Sequence, residues 1–368
     1  MNKEPIRIGI VGVGQIGKSH LETYSKIPGA TLVAASDVNA DALSNVSEKY
    51  NIPHTYTDFH EMLKRDDIDA VDVCLHNNMH APVTIAALKA GKHVYCEKPM
   101  AGTYIDAKAM MDTAKECNLN LSIRLSTLFS KETRVARILI DEGKLGKIYH
   151  ARSTGFRRRG RPFVDGYGTA SFVQKKIAAG GALYDMGVYH IARMLYLMNM
   201  PKINRISGKV YQEMEMDKKR QAESNFDVEE LGLGFVKFDG GLTLDIIESW
   251  SIYLDGFEGS SIVGSEGGIR LDPFSFHTLI ADMDLDATFG LNTAVYRWQQ
   301  LGDEKGAYNS PQHHWIAALQ GHVKLLPTAE LALQTMLISE GIYQSDKLGR
   351  EVSAEEVEEL SVSTAIDM

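Results

Sequence analysis

An apolar run, Ile6–Val11, passes directly into Gly12-Val13-Gly14-Gln15-Ile16-Gly17 and then into a helix-periodic stretch from Ile16 to Ile27. Three glycines in that spacing between a strand and a helix leave few options for the backbone. The first permits a tight turn, the second lets a pyrophosphate approach the main chain, and the third lets helix and strand pack closely. A pyrophosphate would rest on the helix N-terminus, where unpaired N–H groups and the helix dipole favour negative charge. Gly12, Val13, Gly14, Gln15, Ile16 and Gly17 are therefore the expected phosphate-binding turn.

The rest of the first third repeats the strand–helix alternation. Strands are expected over 31–36, 70–75, 94–96 and 120–123, with helices over 40–50, 81–90 and 104–117. Alternation of this kind implies βαβ units and a parallel sheet covered on both faces. The pattern then changes. A helix near 131–142 leads to a strand over 147–154, a long helix over 180–197 and a strand-rich region from 203 to 271. Helices over 312–322 and 328–347 close the chain. We expect two domains, residues 1–124 and 125–368, the second a substrate-binding and oligomerisation α+β domain built on a large, mainly antiparallel open sheet.

Composition removes several function classes. The 368 residues carry a net charge of -9, which disfavours nucleic acid and anionic membrane surfaces. No run reaches the length of a membrane span. The three cysteines, Cys74, Cys96 and Cys117, show no metal or disulfide spacing. Together with a first strand that begins at Ile6, this points to a reducing cytoplasm.

Asp37 follows the second strand about 20 residues after Gly17, where a carboxylate can accept from the adenosine ribose hydroxyls. It would repel a 2′-phosphate, and neither Val38 nor Asn39 offsets that charge, so NAD is expected over NADP. Leu75-His76-Asn77-Asn78-Met79-His80 reaches the same sheet edge. Leu75, Asn77 and His80, with Glu97 and Lys98, complete the expected cofactor contacts. His76 and His80 have helical spacing but lack the glutamate of a His-Glu-x-x-His zinc site, so no metal is expected. Lys98 ends the run His93-Val94-Tyr95-Cys96-Glu97, and a lysine at the carboxyl end of such a strand points into the ligand crevice.

With these pieces in place the chain resembles the Gfo/Idh/MocA oxidoreductases, the glucose–fructose oxidoreductase and inositol dehydrogenase group. The matching segments are Gly12–Gly17, Asp37, Cys96-Glu97-Lys98-Pro99, Gly180-Gly181-Ala182-Leu183-Tyr184-Asp185-Met186-Gly187, Glu248-Ser249-Trp250 and Gly264-Ser265-Glu266-Gly267-Gly268. The resemblance implies an α/β protein with an N-terminal Rossmann dinucleotide-binding domain. It also implies a C-terminal sheet that pairs subunits into a homo-oligomer, and a sugar or polyol substrate. The family's catalytic lysine falls on Lys98 and its aspartate on Asp185. Where many relatives carry histidine this chain has Tyr189, with His190 one step further. The chain also departs from the pattern at His76, where proline is common, and around Arg124, where the usual arginine placement is missing.

Oxidising an alcohol sends a hydride to the cofactor and a hydroxyl proton to a base. Asp185 and Tyr189 are four residues apart and share a helix face, whereas His190 lies about 100° further round. Lys98 and Tyr189 start from pKa values of about 10.4 and 10, so each needs help to act as a base near neutrality. Burial beside a positive nicotinamide would lower Lys98, and a nearby ammonium would lower Tyr189. Catalytic candidates are thus Lys98, Asp185, Tyr189 and His190. The basic cluster Arg157-Arg158-Arg159-Gly160-Arg161 is a solvated loop, a cover over the site or a subunit contact, and its aromatic neighbours would suit a sugar ring. Three functions remain open at this point. They are an NAD-dependent dehydrogenase of a secondary hydroxyl, a redox-neutral enzyme that recycles bound NAD, and a non-catalytic nucleotide sensor.

Overall fold

A computed structural model describes residues 4–302 and 306–368. Six parallel strands form the first sheet: β1 (Ile6–Val11), β2 (Ala30–Ser36), β3 (His54–Tyr56), β4 (Ala70–Val73), β5 (His93–Cys96) and β6 (Leu121–Ile123), in the order β3-β2-β1-β4-β5-β6. The middle strands are continuously apolar because helices cover both faces; all four residues of β4 are buried, for example. The strand order reverses between β1 and β4, so a crevice opens at their carboxyl ends.

The second sheet has nine strands: β7 (Ile148–Phe156), β8 (Ile203–Tyr211), β9 (Leu231–Phe238), β10 (Thr243–Ser249), β11 (Ser261–Gly264), β12 (Gly267–Leu271), β13 (Phe274–Ile280), β14 (Met283–Ala287) and β15 (Val352–Ser353). All pairings are antiparallel except β7 with β10. Side chains alternate across it. Ala151, Leu244, Ile246 and Ile262 are buried under the helices Val188–Leu197 and Thr328–Leu348. The opposite face, with Leu233, Phe235 and Ile247, carries no helix among the described residues.

Helix Thr328–Leu348 is apolar around most of its circumference, which marks an element buried on several sides. It packs against β8 of the second sheet, and also against β6 and the helix Tyr104–Glu116 of the first. Val71 and Val94 consequently share one apolar core with Leu244, Ile246 and Ile342. Each such side chain contributes about 1.5–3 kcal/mol when fully buried.

Several elements differ from the sequence expectation. The helix expected over 180–197 opens with a π turn, Leu183–Gly187, before its α-helical part, Val188–Leu197. The strand-rich region contains the helix Lys218–Ser224, and strands continue past 271 to Ala287. Strand β3, the helices Phe59–Leu63, Leu291–Leu301 and Ala354–Leu360, and strand β15 were not anticipated. They are short or weakly apolar, and periodicity does not register such pieces. No helix among the described residues is long and apolar enough to cross a membrane.

Helix Pro311–Leu319 returns to the first sheet, where Trp315, 1% exposed, packs with Ile8, Tyr24 and Tyr95. Trp315→Ala should lower unfolding free energy by about 3–5 kcal/mol in urea titration. A loss below about 1 kcal/mol would show that this contact does not anchor the helix.

Candidate active site

The glycine turn places an open helix end at the crevice. Gly12 has φ 92°, and a Cβ there would sit 2.3 Å from the Cys74 carbonyl oxygen. A Cβ on Gly17 would meet the Gly12 carbonyl oxygen at 2.0 Å, so only glycine lets the helix Gln15–Tyr24 start this close to β1. A Cβ on Gly14 would meet no atom within 4 Å, and no side chain caps this helix. Its first N–H groups therefore face open space, the arrangement that receives a pyrophosphate. Asp37 Oδ2 accepts the Val13 N–H at 2.8 Å and Oδ1 accepts the Asn39 N–H at 2.9 Å. The carboxylate is fixed beside the turn with acceptor capacity left for ribose hydroxyls. These residues fit a dinucleotide.

The neighbouring candidates divide. Leu75 lines the Gly12 turn. Asn77 opens the helix Asn77–Lys89, and its Nδ2 donates to the Ala178 carbonyl at 2.7 Å, tying this edge to the second half of the chain. His80 is fully buried, with Nδ1 2.7 Å from the Pro99 carbonyl and Nε2 3.1 Å from the Leu75 carbonyl. It braces those two segments from behind and does not face the crevice. Glu97 is 5% exposed and is taken up by His20, Arg124 and the Lys98 N–H, so it too supports the crevice from within. Both residues were expected to touch the cofactor; strand-end position marked them, but burial turns them inward.

Lys98 ends the crevice wall with its side chain 14% exposed. Its Nζ donates to Asp185 Oδ1 at 2.8 Å and to the Asp185 carbonyl at 3.0 Å. The same ammonium lies 5.1 Å from the Tyr189 ring centroid. Asp185 Oδ2 accepts the Trp250 indole N–H at 2.9 Å and lies 3.6 Å from an Arg157 nitrogen. Arg124 donates to the Tyr189 hydroxyl at 3.4 Å. His190 points elsewhere: its Nδ1 is 3.0 Å from Glu248 on β10, among β7 residues. The structure thus gathers Lys98, Asp185 and Tyr189 and leaves His190 outside that group. The π turn supplies Asp185, and such turns recur at functional sites.

Burial and charge set the protonation states. Burial pulls the Lys98 ammonium down, but Asp185, Tyr189 and Glu97 outweigh it, and its pKa rises above the usual lysine value. Burial pushes Asp185 up, yet Lys98, Trp250 and Arg157 hold it below the usual carboxylate range. Burial raises the Tyr189 phenol; the Lys98 ammonium lowers it as expected, and Arg124 adds to that, but burial outweighs both, so its pKa lies above the usual tyrosine value. The resting site holds an ammonium, a carboxylate and a neutral phenol.

Trp250, Arg157 and Arg124 belong to the site without having been assigned to it. Trp250 stands in a matching segment with no role attached, and Arg157 stands in a basic run that the sequence leaves open between a solvated loop, a cover over the site and a subunit contact. Within that run Arg161 is 2% exposed and pairs with Asp165 and Glu230, so it holds the loop to the body of the protein.

Residues 6–124 match the family described as an oxidoreductase family with an NAD-binding Rossmann fold, and residues 133–270 match the GFO/IDH/MocA C-terminal domain. The chain belongs to the Gfo/Idh/MocA family. It is an NAD-dependent oxidoreductase acting on CH–OH groups. D-glucoside 3-dehydrogenase of Escherichia coli (strain K12) is 28% identical over 96% of this chain and 98% of its own length. Myo-inositol 2-dehydrogenase of Thermotoga maritima is 32% identical over 52% of this chain and 55% of its own. The crystal structure of an oxidoreductase domain protein from Kribbella flavida superposes with a TM-score of 0.80 at 21% identity, covering 96% of this chain and all of that one.

Two outcomes follow from this Gfo/Idh/MocA site. Asp37→Ala should weaken NADH binding about tenfold or more, the scale of a lost charge-assisted hydrogen bond, and shift the NADH-to-NADPH affinity ratio towards NADPH. An unchanged ratio in a fluorescence titration would remove Asp37 from ribose recognition. Lys98 and Tyr189 both keep their protons to higher pH than usual. Either group, to take up the hydroxyl proton in oxidation, has to be deprotonated beforehand. Its rate should therefore rise as pH increases into the alkaline range, while carbonyl reduction falls over the same window. Asp185→Asn removes the charge that retains the Lys98 proton, so the rise should move to lower pH by about one unit or more. An unmoved pH–rate profile would show that the pair does not govern proton transfer.

Proposed function

We propose that the protein oxidises a secondary hydroxyl of a sugar, polyol or glycoside and runs the reverse reduction when the carbonyl is supplied. The observation that carries this reading is the ammonium of Lys98 fixed on Asp185 at the mouth of the crevice. Full-length similarity to a D-glucoside 3-dehydrogenase supports a pyranoside ring as the substrate. Arg157 and the half-exposed rings of Tyr167 and Phe172 belong to the loop region beside Asp185, where they suit the hydroxyls and the apolar face of such a ring.

When bound, NAD accepts or returns the hydride. The chain's own groups do the rest. Trp250 and Arg157 hold Asp185, Asp185 holds the Lys98 ammonium, and Lys98 presents a proton donor to a substrate oxygen. In reduction Lys98 Nζ or the Tyr189 hydroxyl gives that oxygen its proton; in oxidation the same atom receives it. The helix-free face of the second sheet, with Leu233 and Ile247 partly exposed and Phe235 40% exposed, suits association with a second copy of the chain.

A panel of methyl glucosides, free sugars and inositols incubated with NAD should reduce the nucleotide with at least one secondary alcohol. Lys98→Ala should lower kcat by about 100-fold or more while leaving NADH affinity within about threefold. Undiminished turnover in that variant, measured at the nicotinamide absorbance, would remove Lys98 from the chemistry.

A further inference from the structure

His20 lies on the helix that begins at the glycine turn, and its side chain is 1% exposed. Its Nδ1 is 2.8 Å from Asp72 Oδ2 on β4, and its Nε2 is 2.8 Å from Glu97 Oε1. A ring with a carboxylate on each nitrogen donates from both and is an imidazolium. It has no lone pair left for a metal, although Cys74 lies close by. Burial works against that charge, but the two carboxylates outweigh it and raise the histidine to about 9. Burial would likewise raise Glu97, yet the His20 contact and the Arg124 and Lys98 charges press it down to about 2.

Glu97 carries this buried charge to the catalytic groups. Its Oε2 accepts the backbone N–H of Lys98 at 3.1 Å, and its Oε1 is 3.4 Å from Arg124 Nε. Arg124 in turn donates to the Tyr189 hydroxyl. On its other side the series ends inside the first sheet, at Asp72 and Cys74, with Tyr24 and Tyr95 buried around them. It terminates among buried groups, so it is suited to balancing charge and fixing geometry more than to conducting protons outward.

We infer that His20 is a positioning residue for hydride transfer: through Glu97 it sets the backbone of Lys98 and the guanidinium that faces Tyr189. The inference rests on the reading of Lys98 and Tyr189 as the catalytic pair. It also makes one helix responsible for two tasks, since the helix whose open end receives the dinucleotide also holds the support of the lysine.

The test uses the full chain with His20→Gln, Glu97→Gln and Leu21→Met. Amide exchange is read in the nucleotide-free protein over residues 97–100, where Pro99 has no amide and Lys98 reports directly. In His20→Gln that segment should exchange about tenfold faster or more, while β8–β10 keep their wild-type rates. NADH affinity, from fluorescence, should stay within about threefold, and kcat with methyl β-D-glucoside at saturating NAD should fall about 30-fold or more. Glu97→Gln should reproduce this split, and it carries the test if His20→Gln does not fold. Leu21→Met, a buried apolar change on the same helix, should leave kcat within about twofold.

Three results would overturn the inference. One is unchanged exchange at residues 97–100. Another is faster exchange throughout the chain, which would assign His20 to stability alone. The last is a loss of NADH affinity that parallels the loss of kcat. If wild-type protein oxidises no member of the substrate panel, the functional reading fails while the exchange comparison still decides the role of His20.

Discussion

The ion pair between Lys98 and Asp185 joins the end of a strand in one sheet to a π turn lying against the other. Neither group could stay charged in so buried a place alone. Each justifies the other's presence, and the geometry around them exists to keep them 2.8 Å apart. Trp250, at the end of β10, fixes the second carboxylate oxygen, and the carboxyl end of β5 fixes where the lysine begins. The candidate site lies where two sheets meet, with Lys98 following a strand of one and Asp185 on the π turn that packs against the other.

Around that pair the charges alternate through the interior. Asp72, His20, Glu97 and Arg124 follow one another before the phenol of Tyr189. Buried charges are tolerated when each neighbour is of opposite sign and hydrogen-bonded. The alternation also separates roles that position alone would merge. Glu97 is adjacent in sequence to Lys98 and stands at the same strand end, yet it faces inward. His190 is adjacent to Tyr189, yet it serves Glu248.

The glycine turn, the parallel sheet and the nucleotide end were legible because each has a local signature: three glycines at fixed spacing, apolar runs buried on both faces, and a carboxylate after the second strand. Lys98, Asp185 and Tyr189 could be nominated because the Glu-Lys-Pro and Gly-Gly-Ala-Leu segments frame them. What could not be read were contacts between residues far apart in the chain. Trp250 reaches Asp185 across 65 positions and His20 reaches Glu97 across 77. No periodicity encodes such pairs. The π turn was also hidden, since an inserted residue leaves the helical pattern on either side intact.

The shared apolar core has a mechanical consequence. Helix Thr328–Leu348 is pressed against both sheets, and side chains from both belong to one continuous interior. Swinging the two halves apart about a hinge would expose that interior to water at every turnover. Such a frame resists opening like a clamshell. The rim segment around residues 157–172 is pinned to that frame by Arg161, paired with Asp165 and Glu230, so accommodation of small molecules falls to its exposed side chains, such as Arg159 and Phe172.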